Sequence, residues 1–326
     1  MMKLAQIFSP CRIAAISAAV MVAMNGPQLL AGGGEIDLGP QTSLDLEAAQ
    51  FRVWFPDDAK TLRGTLFLIP GKNGDGRGLA GDANWQAWAT KNGFALLACN
   101  LKDDDQEAGY QMMPATVELL EKALAEAAKV AQHPEIVTGP LAFWGHSAGA
   151  NLSRVFTGLH SKRVVVMAVT KATAGGPSDV RDALEVPVLL TTGAKEKPDW
   201  RKSNQDSWTQ ARKSGAVWAI GDHPNEGHEA GKTLEAIRPF MDDAITLRLG
   251  AATPAAETGR PALGQRPTRS AAGSGPSLNK IKDQDGWLGD LGTKEVAPYK
   301  DFKGNKRIAC WFPGEASAKA WQSYLK

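Results

Sequence analysis

The chain is poor in cysteine and histidine, with three cysteines and five histidines among 326 residues. No cysteine and histidine are grouped at the spacing of a zinc site. No Gly-x-x-x-x-Gly-Lys-Ser/Thr motif for phosphate binding is present either. We therefore expect no metal and no cofactor.

A strong excess of charge is also absent, since 37 Lys and Arg residues face 35 Asp and Glu residues. The N-terminal 31 residues contain Lys3, Arg12 and no acidic residue, so their removal takes the formal net charge from +2 to zero. A near-neutral chain without a dense Lys/Arg run has little with which to hold nucleic acid or anionic lipid. We expect neither partner.

Residues 1–31 have the composition of a secretory signal peptide. An apolar run over residues 13–24 follows the two basic residues, and Leu-Leu-Ala ends at Ala31. The run is too short for a stable membrane span, which favours cleavage near Ala31 over an uncleaved anchor. The sequence thus predicts a secreted or periplasmic protein in which Cys99 and Cys310 remain. Their separation leaves open whether they form a disulfide or stay as buried thiols.

Strand-like apolar runs alternate with helix-like segments between residues 47 and 248. Six runs of this kind occupy residues 64–70, 94–99, 141–144, 164–169, 186–192 and 216–220, after a weaker one at 48–55. Amphipathic or helix-compatible stretches lie between them, as at 80–91, 117–131 and 150–159. This alternation predicts an α/β fold, a mostly parallel sheet with helices on both faces. In such sheets functional side chains gather at the carboxyl ends of the strands.

The pentapeptide Gly-His-Ser-Ala-Gly at residues 145–149 lies between one of these runs and a helix-compatible stretch. A serine at a sharp strand-to-helix turn has a strained backbone, and the flanking Gly145 and Gly149 avoid collisions with the neighbouring strand and helix. The helix directs its amide groups towards the serine. The motif predicts Ser147 as a nucleophile for acyl transfer.

An acyl-transfer site also needs donors for the oxyanion. The amide of Ala148, at the start of the helix, is one candidate. The loop after the first strong strand, residues 71–78, can present a second amide beside the serine. Lys72 is our first choice for it, with Asn73 in reserve.

A base and an acid must complete the site. Among the five histidines, only His223 and His228 follow the last strand, and His228 is favoured because it forms a Gly-His pair just before a helix. The loop after residues 186–192 offers Glu196 as the acid that orients this histidine, with Asp199 in reserve. Either acid could instead serve as a helix cap or first-turn acid.

The order Ser147, Glu196, His228 is that of the α/β-hydrolases, which the chain resembles from about residue 47 to 248. It is similar to secreted bacterial esterases grouped with dienelactone hydrolases and polyhydroxybutyrate-depolymerase-like enzymes. The resemblance rests on four segments: residues 145–149, Pro-Gly-Lys-Asn-Gly at 70–74, Trp-Gln-Ala-Trp-Ala at 85–89 with Gly-Phe-Ala at 93–95, and Gly-His-Glu at 227–229. It implies Ser147 as nucleophile, His228 as base and the amides of Ala148 and Lys72 as oxyanion hole.

Three features depart from these relatives. Dienelactone hydrolases proper have cysteine where this chain has Ser147, many members have histidine where it has Pro70, and the acid is Glu196 rather than aspartate. The substrate class therefore stays open.

The composition changes after residue 250. We predict a hydrolase domain over residues 32–250, a low-complexity linker over 251–277, rich in Ala, Pro, Gly and Thr, and a C-terminal appendage over 278–326 that contains three tryptophans. Within the appendage the pattern indicates a turn at 286–290, a short strand at 308–312 and a helix at 316–324. The appendage could shape access to the site or only cover an apolar edge.

These features predict a secreted serine esterase acting on a small-molecule or polymer-linked ester through an acyl-enzyme on Ser147. Two alternatives remain open at this stage. One is a peptidase with the same fold, and the other is an inactive hydrolase scaffold that binds a polysaccharide or polymer.

Overall fold

A computed structural model describes residues 32–103, 109–173, 183–251 and 277–326. The predicted signal peptide and residues 252–276 of the predicted linker lie outside these residues. The predictions for both segments therefore stay predictions.

Eight strands form the main sheet, in the order β1-β2-β4-β3-β5-β6-β7-β8. The first two strands pair antiparallel to their neighbours, and all pairs from β4 to β8 are parallel. The strands are β1 (Gly33–Asp37), β2 (Leu46–Trp54), β3 (Gly64–Ile69), β4 (Phe94–Asp103), β5 (Leu141–His146), β6 (Val164–Thr170), β7 (Val188–Gly193) and β8 (Trp218–His223). The prediction of a mostly parallel sheet is confirmed.

The burial of the strands explains why their sequences are apolar throughout. Every residue of β3, β6 and β7 is buried, because helices cover both faces of the parallel part of the sheet. In β2, near the edge, buried and partly exposed residues alternate over most of the strand, as expected where one face contacts water.

In the part of the chain that the structure describes, seven α-helices flank the strands: α1 (Ala83–Asn92), α2 (Pro114–Ala131), α3 (Glu135–Thr138), α4 (Ala148–His160), α5 (Pro198–Lys213), α6 (Thr233–Leu249) and α7 (Glu315–Tyr324). The start of α1 is set by Asp82, whose carboxylate accepts the amides of Asn84 and Trp85. Proline at the first position of α2 and of α5 has the same effect, since its missing N–H is not needed there.

The C-terminal segment, residues 277–326, forms a second, small sheet and the last helix. Its strands β9 (Trp287–Gly289), β10 (Val296–Pro298) and β11 (Cys310–Phe312) pair antiparallel in the order β10-β9-β11. The predicted turn at 286–290 is wrong, because β9 is the central strand and buries Leu288 between two partners. The predicted strand and helix of this segment are present as β11 and α7.

This segment packs directly on the main sheet. The Trp321 indole donates a hydrogen bond to the carbonyl of Ile220 in β8, at 2.7 Å. Arg212 of α5 is buried and donates to the carbonyl of Ala309 at 2.6 Å. Phe312, Trp321 and other side chains of the segment belong to the same core as the main sheet.

The two described cysteines do not pair. Cys99 lies in β4 and Cys310 in β11, and both are buried free thiols. Burial raises the pKa of each to about 12, so both stay protonated. Within the described part of the chain, no helix has the length and apolar composition needed to cross a bilayer.

Candidate active site

Ser147 occupies the turn between β5 and α4, with φ 54° and ψ −116°. A non-glycine residue rarely adopts this conformation, and the surrounding structure must hold it in place. A Cβ on Gly145 would lie 2.4 Å from the carbonyl oxygen of Gly149, and a Cβ on Gly149 would lie 2.2 Å from that of Ile69. Both glycines are therefore required sterically, by the helix and by the adjacent strand.

The hydroxyl of Ser147 begins a chain of hydrogen bonds. Its Oγ lies 2.8 Å from Nε2 of His228, and Nδ1 of His228 lies 2.7 Å from Oε1 of Glu196. The Glu196 side chain is 1% exposed, and its Oε2 accepts the amide of Gly193 at 2.9 Å. The structure thus brings the three residues chosen from the sequence into one Ser–His–Glu chain.

The Glu196 carboxylate determines which nitrogen of His228 carries the proton. An ionised Glu196 only accepts hydrogen bonds, so neutral His228 carries its proton on Nδ1 and donates it to Glu196. The lone pair on Nε2 then faces the serine hydroxyl. This is the tautomer that can remove the serine proton.

The sheet explains why residues far apart in sequence meet here. Ser147 directly follows β5, Glu196 follows β7 by three residues and His228 follows β8 by five residues. These strands are parallel, so their carboxyl ends lie at one edge of the sheet.

The loop after β3 lies beside the serine. A Cβ on Gly71 would be 3.4 Å from Cβ of Ser147, so the loop backbone lies next to the turn that carries Ser147. Asn73, at φ 57°, joins this loop to the end of β4: its side chain donates to the Asp103 carbonyl at 2.9 Å and accepts the Asp103 amide at 3.0 Å. The side chain of Lys72 extends towards the Asp103 carboxylate, with Nζ 3.6 Å from Oδ1. The loop is thus held near the place where a second oxyanion donor is needed.

Ala148 is the first residue of α4, so its amide is among the first-turn donors that have no partner within the helix. The amide of Ser147 itself is used, since it donates to the carbonyl of Thr170 at 2.9 Å. Ala148 thus adjoins Ser147 at the start of α4, and Lys72 follows Gly71 in the loop beside it. Their roles as oxyanion donors stay predictions.

Two contacts of His228 were not predicted from the sequence. His146 donates its Nε2 proton to the carbonyl of His228 at 2.7 Å, and burial lowers the pKa of His146, which favours its neutral form. The Trp200 ring lies 4.9 Å from that of His228, and Lys197 Nζ lies 4.6 Å from the Trp200 centroid. His146 could have been suspected from the sequence, because it belongs to the serine motif. No motif near Trp200 points to its contact with His228.

The remaining candidates lie elsewhere. Asp199 is an exposed first-turn acid of α5, and Glu196 occupies the place at Nδ1 of His228. His223 accepts the amide of Asn225 at 3.3 Å, and its ring packs at a tilt against that of Tyr324, with 5.0 Å between the centroids. Over the described ranges, no group of three or more His, Cys, Asp or Glu side chains is arranged to hold a metal ion.

Comparisons with known proteins return solved structures. A ferulic acid esterase has 13% identity and a TM-score of 0.48, over 65% of this chain and 97% of that one. FphF, a fluorophosphonate-binding serine hydrolase of Staphylococcus aureus, has 12% identity and a TM-score of 0.47, over 66% and 99%. LpqC, the poly(3-hydroxybutyrate) depolymerase of Bordetella parapertussis, has 14% identity and a TM-score of 0.46, over 69% and 92%. No family model and no curated protein matches the chain.

The sheet order, the parallel strands β3 to β8 and the serine at the turn after β5 define the α/β-hydrolase fold. In the sequence the serine comes first, the acid second and the histidine third, which is the order found on this fold.

Proposed function

We propose that the protein is a serine hydrolase that cleaves carboxylic esters through an acyl-enzyme on Ser147. The observation that carries the proposal is the continuous hydrogen bonding from Ser147 Oγ through His228 to Glu196. A purely structural serine has no need of a strained backbone, an imidazole at its hydroxyl and a buried carboxylate behind that imidazole.

In the first half of the proposed reaction, Nε2 of His228 takes the proton of the Ser147 hydroxyl as Oγ attacks the ester carbonyl carbon. The carbonyl oxygen becomes an oxyanion, held by the amides of Ala148 and Lys72. The imidazolium gives its proton to the departing alcohol as the C–O bond breaks. Glu196 balances the charge of the imidazolium and keeps its ring in place.

In the second half, His228 takes a proton from water, whose oxygen attacks the acyl carbon. The oxyanion forms again, and its collapse breaks the bond to Oγ. The proton on His228 returns to Ser147. The products are a carboxylic acid and an alcohol, and no metal or cofactor takes part in the proposal.

Ser147→Ala tests this proposal, with hydrolysis of short p-nitrophenyl esters as the assay. Without the nucleophile we expect kcat/KM to fall by about 10³-fold or more. Ser161→Ala is a matched control, because Ser161 lies before β6, at the opposite edge of the sheet. Ester turnover that survives Ser147→Ala would contradict the proposal. Cleavage of peptide amides in place of esters would favour the peptidase.

We also propose that the protein is exported and begins near residue 32 after cleavage. Support comes from the basic, apolar and small-residue order of residues 1–31 and from β1, which starts at Gly33 and pairs with β2. The test is the N-terminal peptide of protein expressed in a bacterial host. An intact Met1 on protein confined to the cytosol would contradict export.

A further inference from the structure

A buried ion pair lies next to the candidate active site, and the proposed reaction does not use it. The Lys171 side chain is 0% exposed and that of Glu226 is 7% exposed, and Lys171 Nζ donates to Glu226 Oε2 at 3.0 Å. Removing two charges from water is unfavourable unless further hydrogen bonds satisfy them. The pair therefore calls for a structural or functional reason.

The Glu226 carboxylate receives two further donors. Its Oε2 also accepts the Tyr324 hydroxyl at 3.1 Å, and its Oε1 accepts the amide of Lys232 at 2.6 Å. Burial alone would raise the pKa of Glu226, but the Lys232 amide and the Lys171 ammonium outweigh it, so the pKa lies below its usual value. We name Lys171, Glu226 and Tyr324 the Glu226 cluster.

Glu226 is connected to three parts of the candidate active site. Glu226 itself stands two residues before His228, and its carbonyl accepts the amide of Lys195, the neighbour of Glu196, at 2.9 Å. Lys171 directly follows Thr170, whose carbonyl accepts the Ser147 amide. Glu226 thus connects three segments: the loop that carries His228, the loop that carries Glu196, and the end of β6, which binds the Ser147 amide.

The third member of the cluster comes from the C-terminal segment. Tyr324 is the last residue of α7, 98 positions away from Glu226 in sequence. Its ring lies 5.0 Å from that of His223, and burial raises the pKa of its hydroxyl, which therefore remains a donor. The Trp321 bond to β8 fixes α7 in this place.

We infer that Tyr324 is a positioning residue for the proposed hydrolase. Its hydroxyl, together with Lys171, fixes the Glu226 carboxylate and thereby the loop that presents His228 to Ser147. The C-terminal segment is then part of the active enzyme, although Tyr324 acts only through Glu226. The inference rests on the proposed function.

Tyr324→Phe tests it by removing one oxygen and leaving the ring on His223. We expect kcat for p-nitrophenyl ester hydrolysis to fall about 10-fold to 100-fold, because a small displacement of a catalytic group has effects of this size. KM should stay within about twofold, since substrate contacts are unchanged. Tyr299→Phe, in the same segment, is the matched control and should leave kcat unchanged.

A double-mutant cycle separates positioning from a general loss of stability. If Tyr324 acts through Glu226, then Tyr324→Phe should have little further effect on kcat in a Glu226→Ala background, where position 226 has no side-chain acceptor for the hydroxyl. All variants are assayed well below their melting temperatures, measured in parallel. Additive effects, or a Tyr324→Phe variant with unchanged kcat, would overturn the inference.

The two proposals can fail separately. If the native protein hydrolyses esters and Ser147→Ala does not, the proposed function stands, whatever Tyr324→Phe does. If the native protein shows no turnover, the rate of fluorophosphonate labelling at Ser147 replaces kcat, with the same fold-changes expected. A native protein that is neither active nor labelled overturns both.

Discussion

Replacing Glu196 by glutamine tests the electrostatics of the Ser–His–Glu chain with almost no change in volume. A carboxylate accepts from both the Gly193 amide and Nδ1 of His228. A glutamine has one acceptor and one donor, so it can satisfy only one of these partners in the same way.

The favoured orientation follows from the buried amide. If the glutamine oxygen accepts the Gly193 amide, its NH₂ group faces Nδ1 of His228, and the imidazole must carry its proton on Nε2. That nitrogen then donates to Ser147 and cannot take its proton. In the opposite orientation two donors, the NH₂ group and the Gly193 amide, face each other in a buried site. This orientation is less favourable by about 1–3 kcal/mol, the free energy of leaving a buried donor unpaired.

We expect kcat to fall by about 10³-fold to 10⁴-fold, as when the wrong tautomer is imposed on other serine hydrolases. At 1.36 kcal/mol per tenfold, the barrier rises by roughly 4 to 5.5 kcal/mol. Steady-state hydrolysis of a p-nitrophenyl ester measures the loss, and circular dichroism checks the fold.

Asp199→Asn is the matched control, because it makes the same chemical change at the exposed acid in the first turn of α5. Its kcat should stay within about twofold, with at most ~1 kcal/mol of helix stability lost. A Glu196→Gln enzyme as active as the native one, or a large loss from Asp199→Asn, would refute the assignment of the acid.

Three further results are expected. Gly149→Ala places a Cβ 2.2 Å from a carbonyl oxygen of β3, so urea denaturation should show a loss of about 1–3 kcal/mol or more; unchanged stability refutes the close approach. The pKa of Glu226 is lower in the folded protein than its ordinary value of 4.5, so ionised Glu226 stabilises the fold at pH values above 4.5. This contribution disappears as the pH falls through the pKa of the folded state. Unfolding curves of native protein and Glu226→Gln should therefore converge in acid, and a constant difference is the contrary result. Cys99 and Cys310, with pKa raised to about 12, should not react with Ellman's reagent at pH 8 until the protein unfolds; rapid reaction of the folded protein would contradict their burial.

The parallel strands could be predicted because burial on both faces leaves an apolar run that stands out in the sequence. β1 could not, since Gly33–Asp37 has two glycines, two acids and one buried apolar side chain, Ile36. It is a strand because β2 supplies its partner, which no local pattern reveals. The error at Trp287–Gly289 has the same origin: its flanking glycines suggest a turn, while two partner strands make it the centre of a sheet.

The Ser–His–Glu chain could be anticipated because each member follows a strand of one parallel sheet, so chain order and sheet geometry limit the choices. The Glu226 cluster could not. Lys171, Glu226 and Tyr324 belong to no motif, and the contact of Tyr324 with Glu226 depends on how α7 packs against β8. Trp200 was missed for a similar reason, because only the folded start of α5 places it on His228.

The central claim is that His228 activates Ser147. Its most direct test is the reaction of the folded protein with a fluorophosphonate, followed by digestion and mass spectrometry of the modified peptide. We predict a single phosphonyl group on Ser147, and a labelling rate that falls by at least about 10³-fold in His228→Ala. A native protein that stays unlabelled, a label on another residue, or undiminished labelling in His228→Ala would contradict the claim.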